Sequence, residues 1–188
     1  DPTGYEDEIQ SIFASAELSW KNQLYLTVTG RNDWDSKLAF SKQKSFFYPS
    51  VGLSALLSEM VKLPEVISYA KIRGSYTVVA SSFDRFLTNP GYEYNSQTHN
   101  WANPTVYPMD NMKPEKTKSW EIGLNLKFWG NRFNLDATYY RSNTLNQTFK
   151  VDIPFSSGYK QAIVQAGNVQ NQGLELALGF NDKWAGFG

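Results

Sequence analysis

Apolar and polar side chains trade places at every second position along much of this chain. In the clearest run Trp120, Ile122, Leu124, Leu126 and Phe128 interleave with Ser119, Glu121, Gly123, Asn125 and Lys127. A β-strand sends successive side chains to opposite faces, so this run predicts a strand with one greasy face and one wet face. After Trp129-Gly130-Asn131-Arg132 the alternation resumes, with Phe133, Leu135, Ala137 and Tyr139 opposite Asn134, Asp136, Thr138 and Tyr140. Gly-Asn between two such runs is a hairpin signal. Nearer the start, Ile12, Ala14, Ala16, Leu18 and Trp20 alternate with Ser11, Phe13, Ser15, Glu17 and Ser19, where Phe13 is the misfit.

The same reading along the rest of the chain predicts about seven strands, near residues 9–20, 23–31, 47–58, 69–80, 118–129, 132–143 and 172–181. Their connections alternate between short ones and long ones at 32–46, 81–117 and 144–171. Tight turns at one end and long loops at the other are the habit of a membrane barrel, and they place the long loops outside the cell. Most runs are about 9 to 12 residues long, near the length a tilted strand needs to cross a bilayer. Trp20, Phe128 and Trp129 fall at strand ends beside short turns, where amphipathic rings sit at a membrane interface. Alternating strands also build soluble sandwiches with the apolar face turned inward, so that reading stays open on pattern alone.

Composition narrows the choice. Of 188 residues, 15% are aromatic (12 Phe, 11 Tyr, 6 Trp), yet mean hydropathy is -0.47, so rings and polar groups must be used together. Eighteen Lys and Arg balance eighteen Asp and Glu with no basic cluster, which argues against nucleic acid as a partner. The absence of cysteine removes disulfides, thiolate metal sites and cysteine nucleophiles. No apolar run reaches about 18 residues, so no membrane helix is expected, while barrel strands remain allowed.

Catalytic chemistry has little to stand on. His99 is the single histidine, so a triad or histidine-rich metal site would have to centre on the 81–117 connection. No catalytic residue, metal site or cofactor is expected, and the chain does not read as an enzyme. The same connection gathers Tyr92, Tyr94, His99, Trp101 and Tyr107 with Asp84, Arg85, Glu93 and Asn95. Flat rings beside polar groups suit a sugar or peptide ligand, because rings cover apolar faces while amides and carboxylates take the hydroxyls. Self-packing of the loop or contact with a partner protein would use the same rings. On the polar side of the strands, Lys71, Arg73, Glu121, Lys127, Asp136 and Glu175 are expected to face a wet lumen, either lining a substrate path or pairing with one another.

The wording of several segments adds a family. FFYPSVGLSALLSEM, LPEVISYAKIRGSYTVVAS, MKPEKTKSWEIGLNLKFWGNRFNLDATYYRSNT, AGNVQNQGLELALGF and TGRNDWDS resemble the barrel of SusC-like (SusC/RagA) TonB-dependent transporters, the glycan and peptide importers of Bacteroidetes outer membranes. The likeness runs from about Ile12 to Phe180. It implies an all-β chain: a segment of an antiparallel transmembrane β-barrel, about seven strands of about 22. It further implies an internal plug, a SusD-like surface lipoprotein as lid, the TonB complex as driver, and an oligosaccharide or peptide as cargo, in the bacterial outer membrane. Residues 1–188 then form part of one barrel domain with the plug elsewhere, and both ends are expected to be cuts through a longer polypeptide. Passive porins or adhesins and a soluble carbohydrate-binding sandwich are the other functions that fit the pattern.

Overall fold

In the computed structural model, residues 6–39, 41, 43–84, 87–88, 90–109 and 111–181 are described. The strands are β1 (Ile9–Trp20), β2 (Leu24–Asp35), β3 (Ser45–Leu56), β4 (Ile67–Ser81), β5 (Glu93–Asn95), β6 (Asn100–Ala102), β7 (Val106–Tyr107), β8 (Glu115–Phe128), β9 (Phe133–Asp152) and β10 (Gln161–Phe180). A single helical turn, α1 (Leu57–Met60), lies between β3 and β4. The sheet order is β1-β2-β3-β4-β8-β9-β10-β7, antiparallel throughout except that β7 runs parallel to β10. β5 and β6 form a separate small hairpin. The sheet is open, so it is a wall segment and not a closed barrel.

Register between β4, β8, β9 and β10 is uninterrupted from the Phe128–Phe133–Phe180 row up to Lys116, Leu145 and Asn168, with Tyr69 the first in-phase residue of β4. The recorded irregularity lies between Ile67 and Tyr69, at the start of β4. Because the side-chain period is 2, unbroken register keeps all of the alternating apolar residues on one face. Through the middle of the wall that face is open, with Ile122 52% exposed and Leu178 85%, while Val78 and Ala80 at its outer end are buried. Among the described residues no second sheet covers it, whereas a sandwich would bury this face. Trp120, Leu124 and Leu126 share the same uncovered side.

Aromatic rows bound the apolar face at both ends. At the short-turn end the rings of Phe128, Trp129, Phe133 and Phe180 follow one another at centroid distances of 6.0, 5.3 and 4.8 Å. Lys21 places its ammonium 4.6 Å above the Trp20 ring at the same end. At the other, Tyr76 stands beside Trp120 in register and the Trp120 and Tyr139 rings are 5.5 Å apart. From Phe128 to Trp120 the strand rises about 26 Å, or about 20 Å at a tilt near 40°. An apolar layer of that height matches the thin bacterial outer membrane.

Turns at one end are tight. Lys21 and Asn22 both adopt φ of 53°, and the Gln23 amide donates to the Trp20 carbonyl at 3.0 Å. Gly130 takes φ of 65° between Trp129 and Asn131, and its amide donates to Ser68 Oγ at 2.8 Å.

The other end departs from expectation. Residues 144–171, expected as an outer loop, are largely strand, because β9 and β10 are each 20 residues long. Crossing a bilayer needs only about 9 to 11 residues, so about half of this hairpin stands clear of it. β9 leaves β8 after Leu145 but keeps its ladder with β10 to Asp152. The segment loses its apolar alternation because neither face meets lipid there, whereas backbone pairing needs no such pattern. Asn146 and Gly167, opposite one another, take φ of 60° and 92° and bend the arm. The 81–117 connection also carries the short strands β5, β6 and β7.

The connections fold onto this arm and bury the main apolar cluster. Leu38, Phe46, Ala80, Phe83, Met112 and Ile163 pack together, with Leu38 and Met112 almost wholly enclosed. Gln165 fastens the crossing chain by accepting from the Lys113 amide at 2.7 Å and donating to its carbonyl at 2.6 Å.

Leu124 sits midway between the aromatic rows. Substituting Leu124→Arg in the full-length parent should destabilise the inserted barrel by about 2–4 kcal/mol, the cost of a cation at the bilayer midplane. Denaturant titration in lipid vesicles, with heat-modifiable gel migration as the readout of assembly, checks this; an unchanged midpoint would contradict a lipid-facing Leu124.

Candidate functional site

The polar face of the sheet is organised around an arginine that reaches across a strand. Arg73 on β4 holds Asp136 on β9 with two bonds, Nη2 to Oδ1 at 3.0 Å and Nη1 to Oδ2 at 3.2 Å. A third bond runs from Nη2 to Thr138 Oγ1 at 2.7 Å, and Asn125 Nδ2 donates to Asp136 Oδ2 at 3.0 Å. β8 lies between β4 and β9, so the guanidinium must span two strand spacings of about 4.8 Å each. It does so over Gly123, its in-register neighbour. A Cβ at 123 would stand 2.5 Å from Arg73 Nε, so the crossing exists because position 123 has no side chain. Tyr140 lies over Gly173 in the same way, with its Oη 2.7 Å from where a Cβ would be.

The other polar-face residues singled out from sequence lie on the same side. Lys71 neighbours Asn125, and Glu121 neighbours Ser75 and Tyr140. Lys127 places its ammonium 5.3 Å from the Tyr69 ring, and Glu175 pairs in register with Thr138. Glu121, Glu175, Ser75, Thr138 and Tyr140 line one open groove of about 510 Å³. Such a surface can solvate a polar solute by exchanging hydrogen bonds with it. No group of His, Asp and Glu suited to a metal occurs among the described residues.

Sequence reasoning missed a second network because β2 runs on past residue 31. Arg31 Nε donates to Asp33 Oδ1 at 2.7 Å and its Nη2 to Ser11 Oγ at 3.0 Å, with Asp33 and Asp35 buried. The signal was present, since Arg31, Asp33 and Asp35 continue the polar alternation of Thr27 and Thr29.

The ring-rich connection divides in two. Tyr94 and Trp101 face one another across the β5–β6 hairpin at 5.1 Å, and Tyr94 Oη lies 3.2 Å from His99 Nδ1. Asn95 Oδ1 tightens the turn by accepting from the Gln97 and Thr98 amides. Tyr107 stands elsewhere, edge-on to Tyr159 at 5.1 Å beside β10. Tyr92, Tyr94, Trp101 and Tyr107 are exposed, Trp101 by 68%. Asp84 is exposed outside the hairpin; Arg85 lies outside the described residues, and of Glu93 only the backbone pairing with Ala102 is described.

Comparison with known proteins settles what kind of wall this is. A family described as "TonB dependent receptor-like, beta-barrel" matches residues 1–188. The chain belongs to that family. TonB-dependent receptor P3 of Formosa agariphila is 27% identical over 188 residues, covering 94% of this chain and 19% of the relative. TonB-dependent receptor SusC of Bacteroides thetaiotaomicron is 26% identical over 183 residues, covering 89% of this chain and 18% of the relative. Among solved structures, the RagAB peptide importer in its open-open state superposes with a TM-score of 0.78 at 20% identity, over 92% of this chain and 19% of that one. The siderophore receptor PirA from Pseudomonas aeruginosa gives 0.63 at 16% identity, over 90% and 30%. This receptor segment thus spans about a fifth of the length of the curated relatives it matches. It is a transmembrane β-barrel wall of the bacterial outer membrane.

The dependence of the Arg73 bridge on Gly123 is measurable. In the full-length receptor, Arg73→Ala and Asp136→Ala should couple by about 0.5–1 kcal/mol in a double-mutant cycle on unfolding, as fits a half-exposed bidentate pair. A Gly123→Leu background should bring that coupling to zero, and a coupling that survives would show that the arginine does not need the gap.

Proposed function

We propose that the chain supplies barrel wall and outer loops to an energy-coupled importer of oligosaccharides or peptides. The observation that carries this is the division of one unbroken sheet into a bare apolar face and a hydrated, hydrogen-bonded face. The first is matched to lipid and the second to a wet lumen. In this reading Lys71, Arg73, Glu121, Lys127, Asp136 and Glu175 face the lumen, and the long connections stand outside the cell. Likeness to SusC and to the RagAB peptide importer supports a SusD-like surface lipoprotein as partner and TonB as the source of energy, acting through parts of the parent protein beyond these residues.

The β5–β6 hairpin is the proposed ligand contact. Tyr94 and Trp101 present adjacent ring faces with His99 at their edge, a polar-rimmed platform for a sugar ring or a peptide side chain. Tyr92 and Tyr107 extend the ring-rich surface beyond the hairpin.

Deleting the parent gene should abolish growth on one class of oligosaccharide or peptide, and the intact gene should restore it only in cells with a working TonB complex. Restoration without TonB would point to a passive pore. Tyr94→Ala with Trp101→Ala in the intact receptor should weaken ligand binding about tenfold, the loss of about 1.4 kcal/mol of ring contact. Equal uptake and equal affinity would remove the hairpin from the ligand path while leaving the importer reading in place.

A further inference from the structure

Charge is divided between the two faces more sharply than hydropathy requires. On the apolar face of the long strands, as far as Leu145 on β9 and Asn168 on β10, register places no Asp or Glu. The cations on that face are Lys116, Lys118 and Arg141, gathered on the adjacent strands β8 and β9. All lie beyond the Trp120–Tyr139 ring row or at its edge, on the side of the long connections. Lys118 follows Trp120 by one step on the same face, and Arg141 is the in-register neighbour of Trp120. Among the described residues no carboxylate forms an ion pair with any of the three.

Arg141 is also held in place. Its Nη2 donates to Gln170 Oε1 at 2.6 Å, and Gln170 Nε2 donates to Gln172 Oε1 at 3.1 Å. Asn143 donates to Asn168 alongside, at 3.0 Å. This amide ladder replaces the apolar face abruptly, since Leu174, Leu176 and Leu178 lie immediately below it on β10. In-register neighbours stand about 5 Å apart and diagonal ones about 7–8 Å, so Lys118 and Arg141 can close on a single anion while Lys116 flanks it.

We propose that this cluster binds the phosphate of an anionic lipid headgroup in the outer leaflet, a phosphorylated glycolipid of the lipid A type, whose acyl chains lie against the apolar face below. The proposal rests on the membrane reading and deepens it. The occupant follows from continuity and charge: the cations top an apolar wall, at the height where headgroups begin. A phosphate there gains the attraction of Lys118 and Arg141, with Lys116 one step further out, and an acyl chain gains the contact with Ile122 and Leu124. A free phosphate ion would have only the first of these.

The test uses the full-length receptor purified in non-ionic detergent and titrated with monophosphorylated lipid A in native mass spectrometry. Phosphatidylethanolamine and inorganic phosphate serve as the comparison probes. The triple variant K116Q/K118Q/R141Q should bind lipid A at least about tenfold more weakly than wild type, because each surface cation is worth several-fold in attraction to anionic lipid. The control variant K113Q/K150Q/K160Q, which removes as many cations from the outer connections and the β9–β10 arm, should stay within about twofold. Equal loss in the control, or no loss in the triple variant, overturns the site. Displacement of lipid A by an equimolar amount of inorganic phosphate overturns the lipid as occupant. If the triple variant fails to assemble by heat-modifiable migration, K118Q and R141Q singly should each weaken binding about threefold, and no weakening in either overturns the site. A wild-type receptor that stayed monodisperse without detergent would instead defeat the membrane reading, an outcome separate from loss of this site alone.

Discussion

Everything in this wall depends on the unbroken antiparallel ladder. Lipid offers no hydrogen bonds to a backbone, so every amide and carbonyl at membrane depth must be paired with a neighbouring strand. A ladder that satisfies that demand without slips also fixes which side chains face which way, because a slip of one residue would turn the apolar set inward. The recorded irregularity of the β4–β8 ladder sits between Ile67 and Tyr69, at the short-turn margin where water can serve the displaced groups. The outer bend at Asn146 and Gly167 comes after β9 has left β8.

The two faces solve different problems. On the apolar face the side chains need no specific partners, and they stay bare until rings mark the interfaces. On the polar face, rows of side chains compete for each other, and Arg73 meets Asp136 rather than a nearer group because Gly123 clears the way. The pair is part-exposed, so its direct contribution to stability is small; its effect is to fix the position of both charges on the wall.

Beyond the membrane the chain changes its means of holding shape. The β9–β10 arm exposes Phe149, Val151 and Phe155 among polar neighbours, and it gathers Ile163 with Leu38, Phe46 and Met112 into the one enclosed apolar cluster among the described residues. Phe83 and Met112, near the two ends of the connection that carries the β5–β6 hairpin, belong to this core. Loops carry recognition when a rigid scaffold positions them, and here the scaffold extends past the lipid instead of stopping at it.

The amino-acid sequence by itself determined the seven long strands, their alternating faces and the rings at the short-turn end, because a strand's period-2 pattern needs no tertiary information. Runs such as Trp120 to Phe128 carry that pattern in full. The family was legible as well, in segments such as SWEIGLNLKFWGNRFNLDATYY. What the sequence could not reveal is whatever depends on the side-by-side order of strands. The length of the β9–β10 arm was hidden because polar strands outside lipid keep no hydropathy alternation. The Arg73–Asp136 bridge was hidden because its partners lie 63 positions apart and meet only when β8 places a glycine between them. Likewise the outward trio Lys116, Lys118 and Arg141 is scattered along the chain, and only the register of β8 against β9 brings it to one end of one face.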